Sequence, residues 1–374
     1  MTQIKHYELG ELADVTKLAG FEFTKYIKYN NYGEIIALRA LNLRHGELDL
    51  TDIKRIDRSV SELLPRSKLY INDILLTYTG NGYGDCAIIE ENAKYHLAPN
   101  ICKIASNVEK VVPYYLYSYI RTNEFYKIMS SHMTGSSQPT IPMKTIRMLP
   151  IPLPPIVVQE KIAEVAYCIN EKIRKNNAIN KNLLEQAQAI YTKMFITDAD
   201  SLWPEGKLSD LIEVCYGKDH KKLHDGDIPV YGSGGIMRHV DRALYEQESV
   251  LVPRKGTLNN VMYVNEPFWS VDTMFFTKMK RQNVAKFVFH FLKGKDLASM
   301  NAGSAVPSMT TKILNAIPLQ IPDDQMLSTF EAQVSPFYQT ASYNNKESEN
   351  LAAIRDSLLP KLMSGEIDVS DIDL

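Results

Sequence analysis

The sequence contains few cysteines and lacks a long apolar run. Only four of its 374 residues are cysteine, and none forms a Cys-x-x-Cys pair, so we expect neither a disulfide framework nor a metal site. No apolar run reaches the roughly 20 residues that a membrane-spanning helix needs. The first residues, Met1 to Tyr7, lack the apolar core of a signal peptide. We therefore expect a cytoplasmic protein.

Catalytic motifs are also missing. The sequence has no Asp/Asn-Pro-Pro-Tyr motif, with which amino-methyltransferases hold a flipped base, and no glycine loop placed to bind S-adenosylmethionine. The glycine-rich segment Gly80 to Gly84 fits a tight turn, because no long amphipathic helix follows it. Asp200 and Glu205 stand too close in sequence to frame a metal between two strands. We expect no catalytic residue and no bound cofactor.

Positive charge is concentrated in the first 322 residues. The formal net charge of the chain is only −2. Residues 323–374, however, contain three basic and ten acidic residues, so the part before them is net positive by five. Basic clusters stand at residues 39–45, 54–58, 66–68, 218–222 and 254–255. Each cluster taken singly is compatible with a solvated surface.

Residues 156–195 are the longest regular stretch of the chain. They contain neither glycine nor proline, and apolar residues recur alternately every four and three positions from Ile162 to Met194. This is the pattern of a coiled-coil helix, interrupted in the middle by Asn176 and Asn180. At 1.5 Å per residue the helix is roughly 60 Å long, so its apolar stripe requires a partner helix.

That partner comes from an internal repeat. Gly135-Ser136 recurs as Gly303-Ser304, 168 residues later, and at the same offset the proline run from Pro150 aligns with that from Pro318. The asparagines of the first stripe align with Asn344 and Ser348 in a second long helix. Pro336, which has no proline counterpart in the first copy, predicts either a kink or a new helix start. The chain is therefore expected to contain two copies of one module.

Several shorter elements are predicted in both copies. In the first half, residues 34–39 and 73–79 have strand character, and residues 113–130 are expected to form one helix. In the second half, residues 249–253 resemble a strand and residues 287–292 a short helix equivalent to 115–120. Glycine turns stand at residues 80–84 and 231–235.

Each half combines basic residues with tyrosine, serine, asparagine and glutamine near its glycine turns, a mixture that contacts phosphates and base edges. For each residue taken singly, the alternative is ordinary turn chemistry. The candidate DNA-binding residues are Arg39, Arg44, Lys54, Arg55, Tyr78, Asn81, Tyr83, Ser136, Ser137 and Gln138 in the first half, and Lys218, Lys221, Lys222, Tyr231, Ser233, Arg238, Arg254, Lys255, Asn259, Asn260, Ser304 and Lys312 in the second.

The order of these motifs resembles the specificity (S) subunits of Type I restriction-modification systems. The resemblance covers nearly the whole chain. It rests on the matching segments at which the two domains begin, Leu9-Gly10-Glu11-Leu12 and Lys207-Leu208-Ser209-Asp210-Leu211. It rests also on the turns that start at Gly135 and Gly303, and on the proline runs leading to Gln159 and Gln325. It implies a non-catalytic subunit that binds double-stranded DNA and two methyltransferase subunits, which carry S-adenosylmethionine. Motor-nuclease subunits would join through that complex.

The expected fold is mixed α/β, with two target recognition domains separated by two long antiparallel coiled-coil helices in a pseudo-twofold repeat. We predict recognition domain one at residues 1–155, spacer helix one at 156–197, recognition domain two at 198–323, and helix two with a tail at 324–374. Asn176, Asn180, Asn344 and Ser348 would set the helix register. The alternatives are a coiled-coil interaction scaffold without DNA binding, or the recognition module of a fused methyltransferase or nuclease.

The helix pair is predicted to set the length of the unread spacer between two half-sites. Inserting four residues after Lys181 lengthens the helix by about 6 Å and nearly restores the facing stripe. The recognised half-sites should stay the same while the spacer grows by one or two base pairs, as measured by mapping the sites bound by wild type and variant. An unchanged spacer in a folded, binding variant would contradict this prediction.

Overall fold

The computed structural model describes residues 4–80, 82–135, 138–300 and 308–369. The chain divides into two compact units. Unit one contains the described residues up to Lys175 together with those from Lys346 onward, and unit two contains Asn176 to Asn345. Each unit therefore includes part of both long helices. No described helix combines the length and apolar composition needed to cross a membrane.

Unit one is a mixed α/β unit that ends in two helical segments. Its strands are β1 (Lys5–Glu8), β2 (Ala13–Lys17), β3 (Ile35–Leu38), β4 (Leu43–Arg44), β5 (Glu47–Leu48), β6 (Lys54–Ile56), β7 (Ile74–Thr77), β8 (Cys86–Ile88), β9 (Tyr95–Leu97), β10 (Ile101–Ser106) and β11 (Pro150–Leu153). Its helices are α1 (Leu9–Leu12), α2 (Gly20–Tyr26), α3 (Arg58–Leu63), α4 (Pro113–Ile120), α5 (Asn123–Ser131), α6 (Met143–Arg147) and the first part of α7 (Ile156–Thr192).

Unit two repeats this plan with fewer elements. Its strands are β12 (Glu205–Lys207), β13 (Ile212–Tyr216), β14 (Ile228–Gly232), β15 (Gly235–Val240), β16 (Ser249–Pro253), β17 (Met262–Val264), β18 (Trp269–Ser270), β19 (Met274–Met279) and β20 (Pro318–Gln320). Its helices are α8 (Leu208–Leu211), α9 (Ala285–Lys293) and α10 (Thr311–Asn315). It also contains α7 from Asn176 onward and, beside it, α11 (Asp324–Met363) as far as Asn345.

The sheets of the two units have the same topology. A four-stranded antiparallel sheet has the order β2-β10-β7-β8 in unit one and β13-β19-β16-β17 in unit two. A three-stranded sheet, with one parallel and one antiparallel pairing, is β6-β3-β9 in the first and β15-β14-β18 in the second. Short pairs β1-β11 and β12-β20 complete the match. The mixed α/β fold and the internal repeat predicted from the sequence are confirmed.

Central strands of both four-stranded sheets are apolar along their whole length. All four residues of β7 and all five of β16 are buried. Helix α4 covers one face of the first sheet, where Ile74 and Leu76 pack, while Leu75 faces a second apolar cluster. A strand covered on both faces needs apolar residues at consecutive positions, which explains why these segments show a continuous run rather than an alternating pattern.

The two long helices pair antiparallel within each unit. In unit one, Lys172 forms an ion pair with Glu347, and Arg355 donates a hydrogen bond to Asn170. In unit two, the ring of Tyr191 packs against Phe330. Residues later in α7 thus lie opposite residues earlier in α11. The first helix begins at Ile156 as predicted, and its α-helical part ends at Thr192, where a π-helical turn over residues 193–197 follows.

Two sequence predictions need correction or refinement. Residues 113–130 form two helices rather than one, because the chain breaks at Arg121 and the side chain of Thr122 accepts a hydrogen bond from the backbone of Phe125, capping α5. Pro336 does not start a new helix, since α11 runs without interruption from Asp324 to Met363.

A buried polar network joins the helices of unit two. His290 on α9 is fully buried, with its Nδ1 2.8 Å from the side-chain oxygen of Gln188 on α7 and its Nε2 2.8 Å from the hydroxyl of Tyr338 on α11. Because the amide oxygen only accepts, Nδ1 donates and Nε2 accepts from the tyrosine. Beside it, Lys286 bonds both Glu248 and Glu331. These contacts fix α9 against both long helices.

We predict that acid destabilises unit two through His290. Burial lowers the pKa of His290 to about 4, below its usual 6.5. Between those values the unfolded chain binds a proton that the folded chain does not. The free energy of unfolding should therefore fall as the pH drops from 6.5 towards 4, by up to about 1.4 kcal/mol per pH unit, and the loss should stop below 4.

Urea unfolding at pH 7.5, 6.0 and 5.0 tests this prediction. The substitution His290→Gln should flatten the decline. The matched control His224→Gln removes an exposed histidine of the same unit and should retain the wild-type slope. Parallel slopes for all three proteins would refute the role of His290.

Candidate nucleic-acid interface

The predicted binding turns lie at one end of each four-stranded sheet. In unit one, Tyr78 directly follows β7; its backbone N–H donates to Asn100 and its carbonyl accepts from Ile141. In unit two, Arg254 directly follows β16; its N–H donates to Thr273 and its carbonyl accepts from Met309. The same pair of backbone bonds therefore holds Tyr78 and Arg254 at equivalent positions.

In unit one this end of the sheet brings two predicted turns together. The backbone N–H of Gly80 donates to Pro139 at 2.8 Å, and the hydroxyls of Thr79 and Thr140 are hydrogen-bonded. Gly80 has a φ of +85°, a conformation that glycine adopts without strain. Gln138 is exposed beside this contact. The predicted residues Asn81, Ser136 and Ser137 lie outside the described residues.

Tyrosines in this region have altered acidity. Burial raises the pKa of Tyr78. Tyr83 is stacked on Tyr126, with ring centroids 5.4 Å apart, and hydrogen bonds from Tyr126 and Ser130 lower its pKa. Tyr78 and Tyr83 are both half-buried and stand at or just before the glycine turn, so stacking or hydrogen bonding to a base is chemically available to them.

In unit two the equivalent end joins the β14–β15 hairpin to the loop after β16. The side chain of Asn260 donates a 2.8 Å hydrogen bond to the carbonyl of Ser233 at the hairpin tip. The φ of Gly256 is +84°, a backbone conformation that favours glycine, and a Cβ there would lie 2.6 Å from the hydroxyl of Ser233. The predicted Ser304 lies outside the described residues.

Several predicted residues already have intramolecular partners. Arg39 pairs with Asp52, Arg44 with Asp49, and Arg238 with Asp225. Arg55 donates to the carbonyl of Gly33, and Asn259 bonds Asp296 while accepting from Ala298. These bonds shape loops, and they leave fewer donors for a nucleic acid. DNA contact by these residues stays a prediction.

Other predicted cations are open to solvent. The side chains of Lys218, Lys221, Lys222, Lys255 and Lys312 are exposed, and Lys54 on β6 is half-buried. Tyr231 on β14 is also half-buried, with its hydroxyl 3.4 Å from Glu266. Lys255 lies beside Arg254 and is bridged to Ser308. Exposed ammonium groups next to the sheet end suit phosphate contacts.

Sequence reasoning missed two residues of this surface, Lys17 and Tyr216. Each is the last residue of the first strand of its four-stranded sheet. The Nζ of Lys17 lies 5.3 Å from the ring centroid of Tyr78, and the guanidinium of Arg254 lies 5.6 Å from that of Tyr216. No motif in the linear sequence marks these residues, because their partners are brought near only by strand pairing.

The asparagines of the helix pair meet in unit two. Asn344 donates to the side-chain oxygen of Asn180 at 2.8 Å, and Asn180 donates to Asn345 at 2.7 Å. Asn176 is almost fully buried, and its amide lies 3.4 Å from the carbonyl of Asn344. Ser348, the fourth predicted member, belongs to unit one. Three of the four predicted residues thus form one polar layer within unit two.

Comparisons with known proteins agree on one family. The model of the Type I restriction modification DNA specificity domain matches residues 1–189 and 200–348. The HindI specificity subunit of Haemophilus influenzae is 20% identical, over 98% of this chain and all of that protein. The MjaIX specificity subunit of Methanocaldococcus jannaschii is 22% identical, over 70% of this chain and 71% of that protein.

A solved structure shares the fold. The S subunit of a Type I restriction-modification system from M. genitalium has a TM-score of 0.58 and 17% identity, covering 96% of both chains. This chain belongs to the Type I restriction-modification DNA specificity family. It is a specificity subunit, the non-catalytic component that recognises DNA by sequence.

We predict that Asn344→Ala destabilises the protein by about 1–2 kcal/mol, because it removes the hydrogen bonds of a buried amide and leaves the half-buried oxygen of Asn180 without its donor. The control Asn177→Ala changes an exposed asparagine of the same helix pair and brings the same gain in helix propensity. The control should stay within about 0.5 kcal/mol of wild type or become more stable. Equal unfolding free energies for the two variants, measured in urea, would exclude a stabilising polar layer.

Proposed function

We propose that this specificity subunit recognises a bipartite duplex DNA site, with one half-site read by each unit, and presents that site to two methyltransferase subunits. One observation carries the proposal: the two units share a scaffold but differ in the side chains that the scaffold displays. Tyr78 and Arg254 occupy equivalent backbone positions with unlike hydrogen-bonding capacity. The next residues also differ, because Thr79 is buried and Lys255 is exposed.

A shared scaffold with different displayed residues supports two independent base readouts. Phosphate contacts position a protein on DNA, while side chains at base edges determine which sequence is preferred. Exposed lysines supply the first kind of contact, such as Lys255 next to the sheet end of unit two. An arginine at the position of Arg254 is able to pair with guanine through two hydrogen bonds, whereas a tyrosine at the position of Tyr78 is not.

The remaining partners follow from the family. In this proposal, the methyltransferase subunits carry S-adenosylmethionine and motor-nuclease subunits join through the complex. The long helices are the proposed contact with the methyltransferases, since both expose large apolar side chains away from their shared seam, such as Ile179 and Ile354. The cytoplasm is the proposed compartment, because it contains the DNA that such a complex modifies.

Selection from a random duplex library tests the proposal with the full chain. We predict that the bound duplexes contain two defined sequence blocks separated by an unread spacer. No enriched sequence, despite retained folding, would support an interaction scaffold instead. A single continuous block would contradict recognition by two units.

Domain exchange then shows which unit recognises each sequence block. Replacing residues 1–149 with the matching segment of another specificity subunit should change one block and leave the other unaltered. The reciprocal control, exchange of residues 198–323, should change only the second block. A change in both blocks after either exchange would show that the units do not read DNA independently.

A further inference from the structure

Each unit holds a cation against an aromatic ring at the same place in the fold, but the two residue types are exchanged. In unit one the first strand supplies the cation, Lys17, and the segment after β7 supplies the ring, Tyr78. In unit two the first strand supplies the ring, Tyr216, and the segment after β16 supplies the cation, Arg254.

Strand register shows that the positions are equivalent. Lys17 pairs with Cys102 near the start of β10, and Tyr216 pairs with Phe275 near the start of β19. Tyr78 and Arg254 each follow the strand on the other side of that central strand. Each pair therefore spans the central strand of its sheet, on the face that carries the main apolar cluster of its unit.

Neither cation, Lys17 or Arg254, is ion-paired with a carboxylate among the residues that the structure describes. Lys17 is exposed, and the guanidinium of Arg254 donates from Nη1 to the carbonyl of Asp272 at 3.2 Å. Tyr216 is itself 54% exposed. A cation held on a ring at the surface keeps most of its donors available to a ligand.

In two other cation–ring contacts, the cation is already paired with a carboxylate. Lys94 lies over Tyr95 but bonds Glu91, and Lys286 lies over Tyr263 but is buried between two glutamates. Those charges are already paired within the protein. Only the contacts at Lys17 and Arg254, among those in the described ranges, recur at matching strand positions in both units.

We propose that each pair is a DNA-contacting site, in which the tyrosine ring orients the cation towards the nucleic acid. This rests on the proposed function and adds Lys17 and Tyr216 to the binding surface. Lys17 acts as a point charge on phosphate. Arg254 presents a planar fork that suits a phosphate or a guanine edge. The two rings are positioning residues that act through their cations.

The test compares charge removal with ring removal, using fluorescence anisotropy on the duplex that the full chain selects. Lys17→Gln and Arg254→Gln should each lower the slope of log K against log salt by about one, because one phosphate contact is lost. Tyr78→Leu and Tyr216→Leu keep the charge, so the slope should stay while binding weakens roughly two- to five-fold. Thermal unfolding confirms that each variant is folded.

The decisive variant exchanges the cation and the ring of unit one. Lys17→Tyr combined with Tyr78→Lys gives unit one the arrangement that unit two already has. The double variant should restore the wild-type salt slope, since it again places one cation on one ring at this site. Lys17→Tyr alone should lower the slope by about one, because it leaves two rings and no cation there.

Lys25→Gln is the matched control, because Lys25 is an exposed lysine of unit one that also lies over a tyrosine, Tyr26, but at another site. It should leave the salt slope unchanged. Equal slopes for Lys17→Gln and Lys25→Gln would overturn the proposal, as would a double variant whose slope stays as low as that of Lys17→Tyr. If wild type selects no DNA sequence at all, the proposed function itself fails.

Discussion

The burial of one long apolar seam is the constraint on which the rest of this structure depends. Helix α7 has an apolar seam along its length, and most of the stability of such a helix comes from packing that face, so the seam needs a second helix of matching length. The chain obtains that helix by repeating its own module, and α11 begins 168 residues after α7. Each unit consequently contains helical segments from both copies of the repeat.

This pairing also explains why polar residues are buried in the helices. A uniform seam of Ile, Leu and Ala would tolerate slipped registers, because an apolar side chain finds a similar neighbour one turn away. The hydrogen bonds among Asn180, Asn344 and Asn345 are satisfied in one alignment. The network around His290 in unit two adds a second constraint, since it joins α9 to both long helices. Register is thus set by a few directional contacts within a mainly apolar interface.

Much of the fold could be predicted because the sequence repeats. The constant offset of 168 between the two copies placed α7 opposite α11, and it also aligns α6 with α10 and β11 with β20. Buried strands such as β16 were visible as apolar runs. The break between α4 and α5 was missed, since it depends on Thr122 acting as a cap within an otherwise helical pattern.

The binding surface was only partly predictable, for a physical reason. Glycine turns and basic clusters are local features, so Tyr78 and Arg254 could be found from the residues around them. Lys17 and Tyr216 have no local signal, because their importance arises from a neighbour two strands away in the sheet. Such a contact is defined by strand order and register, which a linear pattern does not specify.

The two units have different residue types at equivalent positions, which shows how such a protein is able to change the DNA sequence that it recognises. The backbone bonds that hold Tyr78 and Arg254 do not involve their side chains, so either residue is compatible with the scaffold. Both residues are half-buried and lie just beyond the ends of fully buried strands. A change of preferred base therefore need not disturb the buried strands or the helix seam. Because each unit has its own sheet and its own apolar cluster, one recognition surface is free to change while the other is retained.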